Sequence, residues 1–271
     1  MKAKLIFILL LLFISSVDAQ EDIELNTVLM NSTFKIQGSK TTGTVFILGK
    51  LTKEDSTKAY YVLVTANHVL DDIKEDYATL FLRKKDGEKF TKFNYSLKIR
   101  QNGKPLWVNN PNVDVAAMYI RLPVNTYIEL LPKNYLGTDS AILEFEIHPG
   151  DELLCLGYPN GAEANDAGFP ILRSGKIASY PLLPSKDIKT ILFDFEVFGG
   201  NSGGPVYFID HNRSYKGGIH IGTTVRFLMG LLSERKVSFK NEIEIENLGL
   251  GVVIPAIFIS ETIDMLPEIP E

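Results

Sequence analysis

Residue types capable of nucleophilic chemistry stand at three places in the 271-residue chain. His68 lies in Thr65-Ala66-Asn67-His68-Val69, and Asp114 in Asn112-Val113-Asp114-Val115-Ala116-Ala117-Met118. Ser202 lies in Phe198-Gly199-Gly200-Asn201-Ser202-Gly203-Gly204-Pro205-Val206. A serine hydroxyl is a weak nucleophile until a neighbouring base takes its proton. A histidine can be that base, and a carboxylate can fix its tautomer and stabilise the imidazolium. Glycines accept positive φ and close backbone approach, so a serine among them can sit on a sharp turn. Such a turn can aim successive N–H groups at one developing oxyanion. An aspartate inside an apolar segment is costly unless its charge is hydrogen-bonded, so Asp114 needs a partner and His68 is a candidate.

These residues must be held by strands. Thr41–Leu48, Ala59–Thr65, Ala78–Leu82, Phe93–Ile99 and Val113–Ile120 are rich in β-branched and aromatic residues and broken by polar and glycine clusters. Arg121–Pro149, punctuated by Pro123, Pro132, Gly137 and Pro149, reads as a crossing between two halves. Strands resume at Glu152–Gly157, Ile171–Ser179, Ile191–Phe195, Val206–Ile209, Gly217–Ile221 and Leu250–Ile254. Pro255–Leu266 carries Ile257, Ile259, Ile263 and Leu266 mostly on one face and reads as a helix. The expected fold is all-β, with two β-barrels and a short C-terminal helix.

Met1–Gln20 has the form of an export leader. Lys2 and Lys4 precede the apolar run Leu5–Ile14, and Val17-Asp18-Ala19 supplies small residues at a cleavage site. Ten apolar residues fall short of the roughly 20 that span a bilayer. Cleavage after Ala19 is expected, with a secreted or periplasmic product and no membrane anchor. Losing residues 1–19 takes the net charge from −5 to −6, with both signs interspersed, which offers no basic stripe for nucleic acid. Cys155, the single cysteine, sits in an apolar run and reads as a buried small hydrophobe. The four histidines are scattered, so no zinc signature appears and no metal or cofactor is expected. Asn31, Asn94 and Asn212 begin glycosylation sequons.

The blocks Thr65–Val69, Asp114-Val115-Ala116 and Gly200–Pro205, in this order, resemble those of chymotrypsin-fold serine proteases. Thr42–Phe46, Gly150–Pro159, Arg173–Ile177 and Leu248–Pro255 also resemble that family's strands, so the resemblance spans roughly Phe34 to Leu266. The nearer similarity is to the HtrA-type and glutamyl-endopeptidase branch, because Asn201 stands where trypsin and chymotrypsin carry an aspartate. With an asparagine there, activation by a newly cut amino terminus is not implied. Five residues follow Leu266, so the PDZ domain of HtrA proteins is not expected.

The resemblance implies two six-stranded antiparallel barrels, residues 20–130 carrying His68 and Asp114 and residues 131–271 carrying Ser202 and the terminal helix. It implies a His68, Asp114 and Ser202 triad hydrolysing protein or peptide substrates, and an oxyanion hole made by the N–H groups of Gly200 and Ser202. It also implies that His220, Ile221, Gly222 and Thr223 line the pocket for the residue before the scissile bond (P1), with His220 favouring Glu or Gln. Glu196, six residues before Ser202, would favour a basic P1 instead. Phe227–Lys240 is expected to be an insertion near the cleft, a short helix or a lid.

Two other readings compete. Gly200-Asn201-Ser202-Gly203-Gly204 fits the esterase nucleophile elbow, but that fold needs a helix after the serine and a different residue order. A catalytically silent protease fold that binds peptides is the second, since fold does not guarantee function.

Overall fold

A computed structural model describes residues 24–52, 58–240 and 243–268. The expected leader over residues 1–19 lies outside the described residues. The first described element is α1 (Leu25–Ser32), whose first N–H groups are capped by the Glu24 carboxylate. Strands β1 (Thr33–Gln37), β2 (Thr42–Leu51) and β3 (Ala59–Thr65) follow, then the short helix α2 (Asn67–Asp71) and the hairpin β4 (Tyr77–Asp86) and β5 (Lys89–Lys98). Small pieces come next: β6 (Arg100–Gln101), β7 (Lys104–Pro105), β8 (Val108–Asn109), β9 (Ala116–Tyr119) and β10 (Leu131–Pro132). The first β unit is an eight-stranded sheet in the order β5-β4-β1-β2-β3-β9-β8, with β10 parallel to β2.

After α3 (Asp139–Glu144), the second unit consists of β11 (Glu152–Gly157), β12 (Ile171–Ile177), the helical turn α4 (Ser185–Ile188), β13 (Ile191–Asp194) and β14 (Pro205–His211). A small hairpin, β15 (Ser214–Tyr215) and β16 (Gly218–Ile219), leads into the long strands β17 (Thr224–Lys240) and β18 (Ile243–Pro255). Six of these strands close a barrel in the order β11-β12-β13-β18-β17-β14. The last described element is α5 (Ala256–Asp264), inside the span expected for the terminal helix. The all-β expectation and the terminal helix hold; of the two six-stranded barrels expected, the second unit closes as one, and the first is an eight-stranded sheet. The segment Phe227–Lys240 is neither a helix nor a lid but part of β17, in register with β14 through Leu231. Phe227, Leu228, Met229, Leu231 and Leu232 are all buried, so this stretch is covered on both faces, as a central strand of a barrel packed against a second core is.

Two apolar cores form, and the one centred on the first unit also takes in Leu156, Tyr207, Leu231 and Ile254 of the second. Its first-unit residues include Phe34, Phe46, Val62 and Met118, and it also receives Leu25 and Leu29 of α1 and Phe258 and Ile259 of α5. The two terminal helices are thus packed by the first unit's core. Phe193, Val206, Phe208 and Met229 fill the barrel. Cys155 is 2% exposed within it, and burial pushes its thiol up to about 12, as expected of an inert core cysteine. Asn31 is also buried, with its amide donating to Glu129 Oε1, so this sequon is closed to glycosylation, whereas Asn94 and Asn212 are exposed.

Candidate active site

His68 is positioned by the first unit. β3 ends at Thr65, the chain turns at Ala66, and α2 starts one residue before the histidine. Trp107 Nε1 donates to Asn67 Oδ1 at 2.9 Å at the start of this helix. At its other end, Arg100 donates to the carbonyls of Leu70, Asp71 and Ile73, and its guanidinium lies over the Trp107 ring. A cation there suits the carbonyl end of a helix. Gly43 lets α2 lie close on β2, since a Cβ at that position would stand 2.4 Å from Val69 Cγ1.

Asp114 lies in a bend just before β9, not inside the strand as expected. It grips His68 at two points. Oδ1 accepts from the His68 backbone N–H at 3.0 Å, and His68 Nδ1 stands 2.6 Å from Oδ2. Ser233 Oγ donates to the same Oδ2 at 2.6 Å. Burial raises the Asp114 carboxyl, but the hydrogen bonds from His68 and Ser233, with the charge of His68, bring it below its ordinary value. An ionised Asp114 makes Nδ1 the protonated nitrogen, which leaves Nε2 as the basic one. Sequence reasoning missed Ser233.

Ser202 lies in a tight turn leading into β14. Thr44 of β2 holds this turn twice, its N–H donating to Ser202 O at 2.9 Å and its Oγ1 to Gly200 O at 2.7 Å. Thr65 Oγ1 donates to Thr44 O at 2.7 Å, and a Cβ on Gly203 would stand 2.0 Å from that same Oγ1. From the other side, Gly203 N–H donates to Leu232 O and Leu232 N–H to Gly204 O. The serine turn is therefore wedged between Thr65, three residues before His68, and Leu232, the neighbour of Ser233. Gly200 has φ +93°, and a Cβ there would stand 2.3 Å from Tyr158 O, so only glycine fits.

The N–H groups of this run alternate in use. Those of Asn201, Gly203 and Gly204 donate to Phe198 O, Leu232 O and Asn201 O. Those of Gly200 and Ser202 have no acceptor among the described residues. The Gly199 carbonyl accepts from Asn160 N–H at 2.6 Å. In a trans peptide the N–H points opposite to the carbonyl, so this bond fixes the direction of the Gly200 N–H. The Ser202 hydroxyl makes no hydrogen bond among the described residues. Asn201 is 2% exposed, and its Nδ2 has no partner among the described residues.

The residues expected to line the P1 pocket are not at this site. His220 follows the β15–β16 hairpin, stacks on Tyr215 with ring centroids 3.9 Å apart, and has Nε2 3.2 Å from Tyr215 O. Ile221 is 84% exposed, Gly222 N–H donates to Asn212 Oδ1, and the Thr223 carbonyl accepts from Asn212 N–H. All four lie beyond the His211–Thr224 pair, whereas the serine turn adjoins the Pro205–Leu231 pair at the other end of the same ladder. At about 3.3 Å per residue, the two ends are roughly 20 Å apart. The Gly-Ile-His sequence belongs to an excursion between β14 and β17, and β17 is the strand that returns to the serine. Glu196 is exposed beside the glycine run, its carbonyl accepting from Arg173 Nη1 at 2.7 Å. The Arg173 guanidinium covers the rings of Phe195 and Phe198.

No protein-family model and no curated protein sequence matches the chain. Among solved structures, the chain is similar to Rv3671c from M. tuberculosis H37Rv, in the inactive form of a serine-to-alanine variant. The identity is 17% over 90% of each chain, with a TM-score of 0.45. A second inactive-form structure of the Rv3671c protease gives 17% over 89% of this chain and 91% of that one, with a TM-score of 0.42. The protease Anisep from Arthrobacter nicotinovorans gives 14% over 87% of this chain and 94% of that one, with a TM-score of 0.47. These similarities are too distant to transfer chemistry, which rests on the chain's own residues.

Proposed function

We propose that the protein is an exported serine endopeptidase in which Ser202 is the nucleophile, His68 the general base and Asp114 its orienting carboxylate. One observation carries the reading. Asp114 clamps the His68 imidazole and also accepts from Ser233, whose neighbour Leu232 holds the serine turn; within that turn the Gly200 and Ser202 N–H groups have no acceptor among the described residues, while those of Asn201, Gly203 and Gly204 are used. Ser202 Oγ bonds to the peptide carbonyl carbon as its proton passes to His68 Nε2. The carbonyl oxygen becomes an oxyanion, stabilised by the N–H groups of Gly200 and Ser202. Collapse breaks the C–N bond, and His68 gives its proton to the leaving amine. Water, deprotonated by His68, then cleaves the acyl ester and restores Ser202. Side chains and backbone suffice for each step, and a protein or peptide is the only partner required.

The P1 preference for Glu or Gln rested on His220 and is not part of the proposal. Glu196, exposed beside the glycine run, keeps the alternative of a basic P1. The silent peptide-binding reading has one observation in its favour, the Ser202 hydroxyl without a hydrogen bond among the described residues. Catalytic hydrogen bonds often form only with substrate in place. Hydrolysis of a quenched-fluorescent peptide library separates the two. Ser202→Ala should cut turnover by about 10⁴-fold or more, as for other nucleophile deletions. Equal turnover in the variant would refute the mechanism.

A further inference from the structure

The peptide that carries the Gly200 N–H is held from behind. Asn160 N–H donates to Gly199 O at 2.6 Å, and Asn160 sits in the helical turn Pro159–Gly161 with φ +51° and ψ 29°. Asparagine is one of the few residues besides glycine that adopts this left-handed backbone. Gly200 rests on the same turn, because a Cβ on it would stand 2.3 Å from Tyr158 O and 3.3 Å from Gly161 N. The turn follows β11 of the second unit, yet strands of the first unit anchor it.

Two residues beyond the turn, Glu163 is gripped by two lysines. Its carboxylate pairs with Lys35 of β1 and with Lys92 of β5. Lys35 Nζ also donates to Gly161 O at 3.3 Å, so one ammonium joins β1 to both the turn and the carboxylate. Both ammoniums lie over the Phe81 ring, 4.5 and 5.7 Å from its centroid. The Glu163 and Lys35 side chains are 13% and 12% exposed. Burial raises the Glu163 carboxyl, but the hydrogen bonds and charges of Lys35 and Lys92 bring it below its ordinary value. A neutral side chain in its place would leave two ammoniums sharing one ring without their counter-charge, and one of them is the donor to Gly161 O.

From this run of contacts, we infer that Glu163 is a positioning residue for the oxyanion hole. It holds Pro159–Gly161 against the glycine run and so keeps the Gly199–Gly200 peptide turned with its N–H toward the reacting carbonyl. Glu163 touches no reacting atom and acts through Lys35, Gly161 and Asn160. The inference rests on the protease reading, because an oxyanion forms only if Ser202 attacks. It deepens that reading by making β1 and β5 of the first unit part of what shapes the hole on the second. A donor aimed at the oxyanion acts in the transition state, so its loss falls on turnover rather than on substrate binding.

The test compares the full chain with Glu163→Gln and with Lys92→Met, which leaves Glu163 paired to Lys35 and so guards against misfolding. Deleting one oxyanion donor costs about 10²–10³ in kcat, so a misdirected Gly200 N–H in Glu163→Gln should cost about 10- to 100-fold. KM should stay within about twofold, because the lost interaction belongs to the transition state. Lys92→Met should lose about threefold in kcat, the worth of a partly exposed ion pair. A peptide aldehyde, whose adduct with Ser202 carries the same oxyanion, should weaken in step with kcat. Binding of the uncleaved peptide to Ser202→Ala should not change when Glu163→Gln is added. The Gly200 amide resonance of ¹⁵N-labelled protein reads the peptide without any turnover, and it should move in Glu163→Gln. Parent kcat and an unmoved Gly200 resonance in every variant that folds would overturn the inference and leave the protease reading intact. A loss of peptide binding as large as the loss of kcat would overturn it too, since that marks a general loosening of the site. A displaced Gly200 resonance in Glu163→Gln, with no peptide hydrolysis by the parent protein, would uphold the role of Glu163 and defeat the protease reading.

Discussion

Asp114 accepts three hydrogen bonds with two oxygens, and the way they divide sets what each donor contributes. The two from His68 fix the ring, while that from Ser233 satisfies the same Oδ2 from the opposite strand. Asp114→Asn should retain the fold yet lose about 10⁴ in kcat, because an amide favours the wrong imidazole tautomer. A steady-state assay of the purified variant reads this directly. Ser233→Ala has a subtler effect. The folded carboxyl lies below its ordinary value, so its stabilisation is full above the ordinary carboxylate range, about 3.9, and is lost as pH falls through the folded value. Without Ser233 that depression shrinks. The drop in denaturant midpoint between pH 7 and pH 3 should therefore be smaller in Ser233→Ala than in the parent. Equal drops would mean that the Ser233 bond contributes nothing to the charged state.

Glycines of the serine turn are not equivalent, and elements rather than chemistry decide which can change. A Cβ on Gly203 would meet Thr65 Oγ1 at 2.0 Å and Thr44 O at 2.1 Å, with φ at +86°, whereas at Gly199 nothing lies within 4 Å. Gly203→Ala should destabilise by about 1–3 kcal/mol or more through overpacking and a disfavoured backbone. Gly199→Ala should leave the melting temperature nearly unchanged, and thermal denaturation of both variants checks the contrast. Farther back, Arg83 fastens the turn's support. Its guanidinium lies between the rings of Phe34 and Phe169 and donates to Gly168 O and to Met30, Asn31 and Thr33 carbonyls. It thus ties α1 and β1 to the segment that also carries Asn160, the donor to Gly199 O. Arg83→Ala, which strands these buried carbonyls, should cost about 3 kcal/mol or more in denaturant unfolding.

For the whole molecule, two β units meet where β2 and β3 of one and β17 of the other grip the serine turn. Strand positions and the three chemical residues were legible because each depends on local sequence: period-2 alternation, a glycine run, a charge amid apolar residues. Pairing between distant strands was less so. Asp114 read as a strand residue because its neighbours are apolar, yet the chain bends before β9 so that both carboxylate oxygens reach His68. His220 read as a cleft residue because Gly-Ile-His looks like the strand after the serine. In the fold, residues 212–223 form an excursion at the far end of the β14–β17 ladder. His220→Ala should therefore change P1 selectivity less than about twofold, given the roughly 20 Å of strand between hairpin and turn. Arg83 and Arg100 were unreadable for a related reason, since a buried cation is explained only by carbonyls that the fold brings to it.

The central claim is that Ser202 is an activated nucleophile. It is tested most directly by treating the folded protein with a fluorophosphonate probe, then locating the adduct by peptide mass spectrometry. The arrangement of His68, Asp114 and the Gly200 and Ser202 N–H groups predicts a single adduct on Ser202, absent in Ser202→Ala and strongly reduced in His68→Ala. A folded protein that hydrolyses no peptide and leaves Ser202 unlabelled would contradict the account and leave a peptide-binding protein in its place.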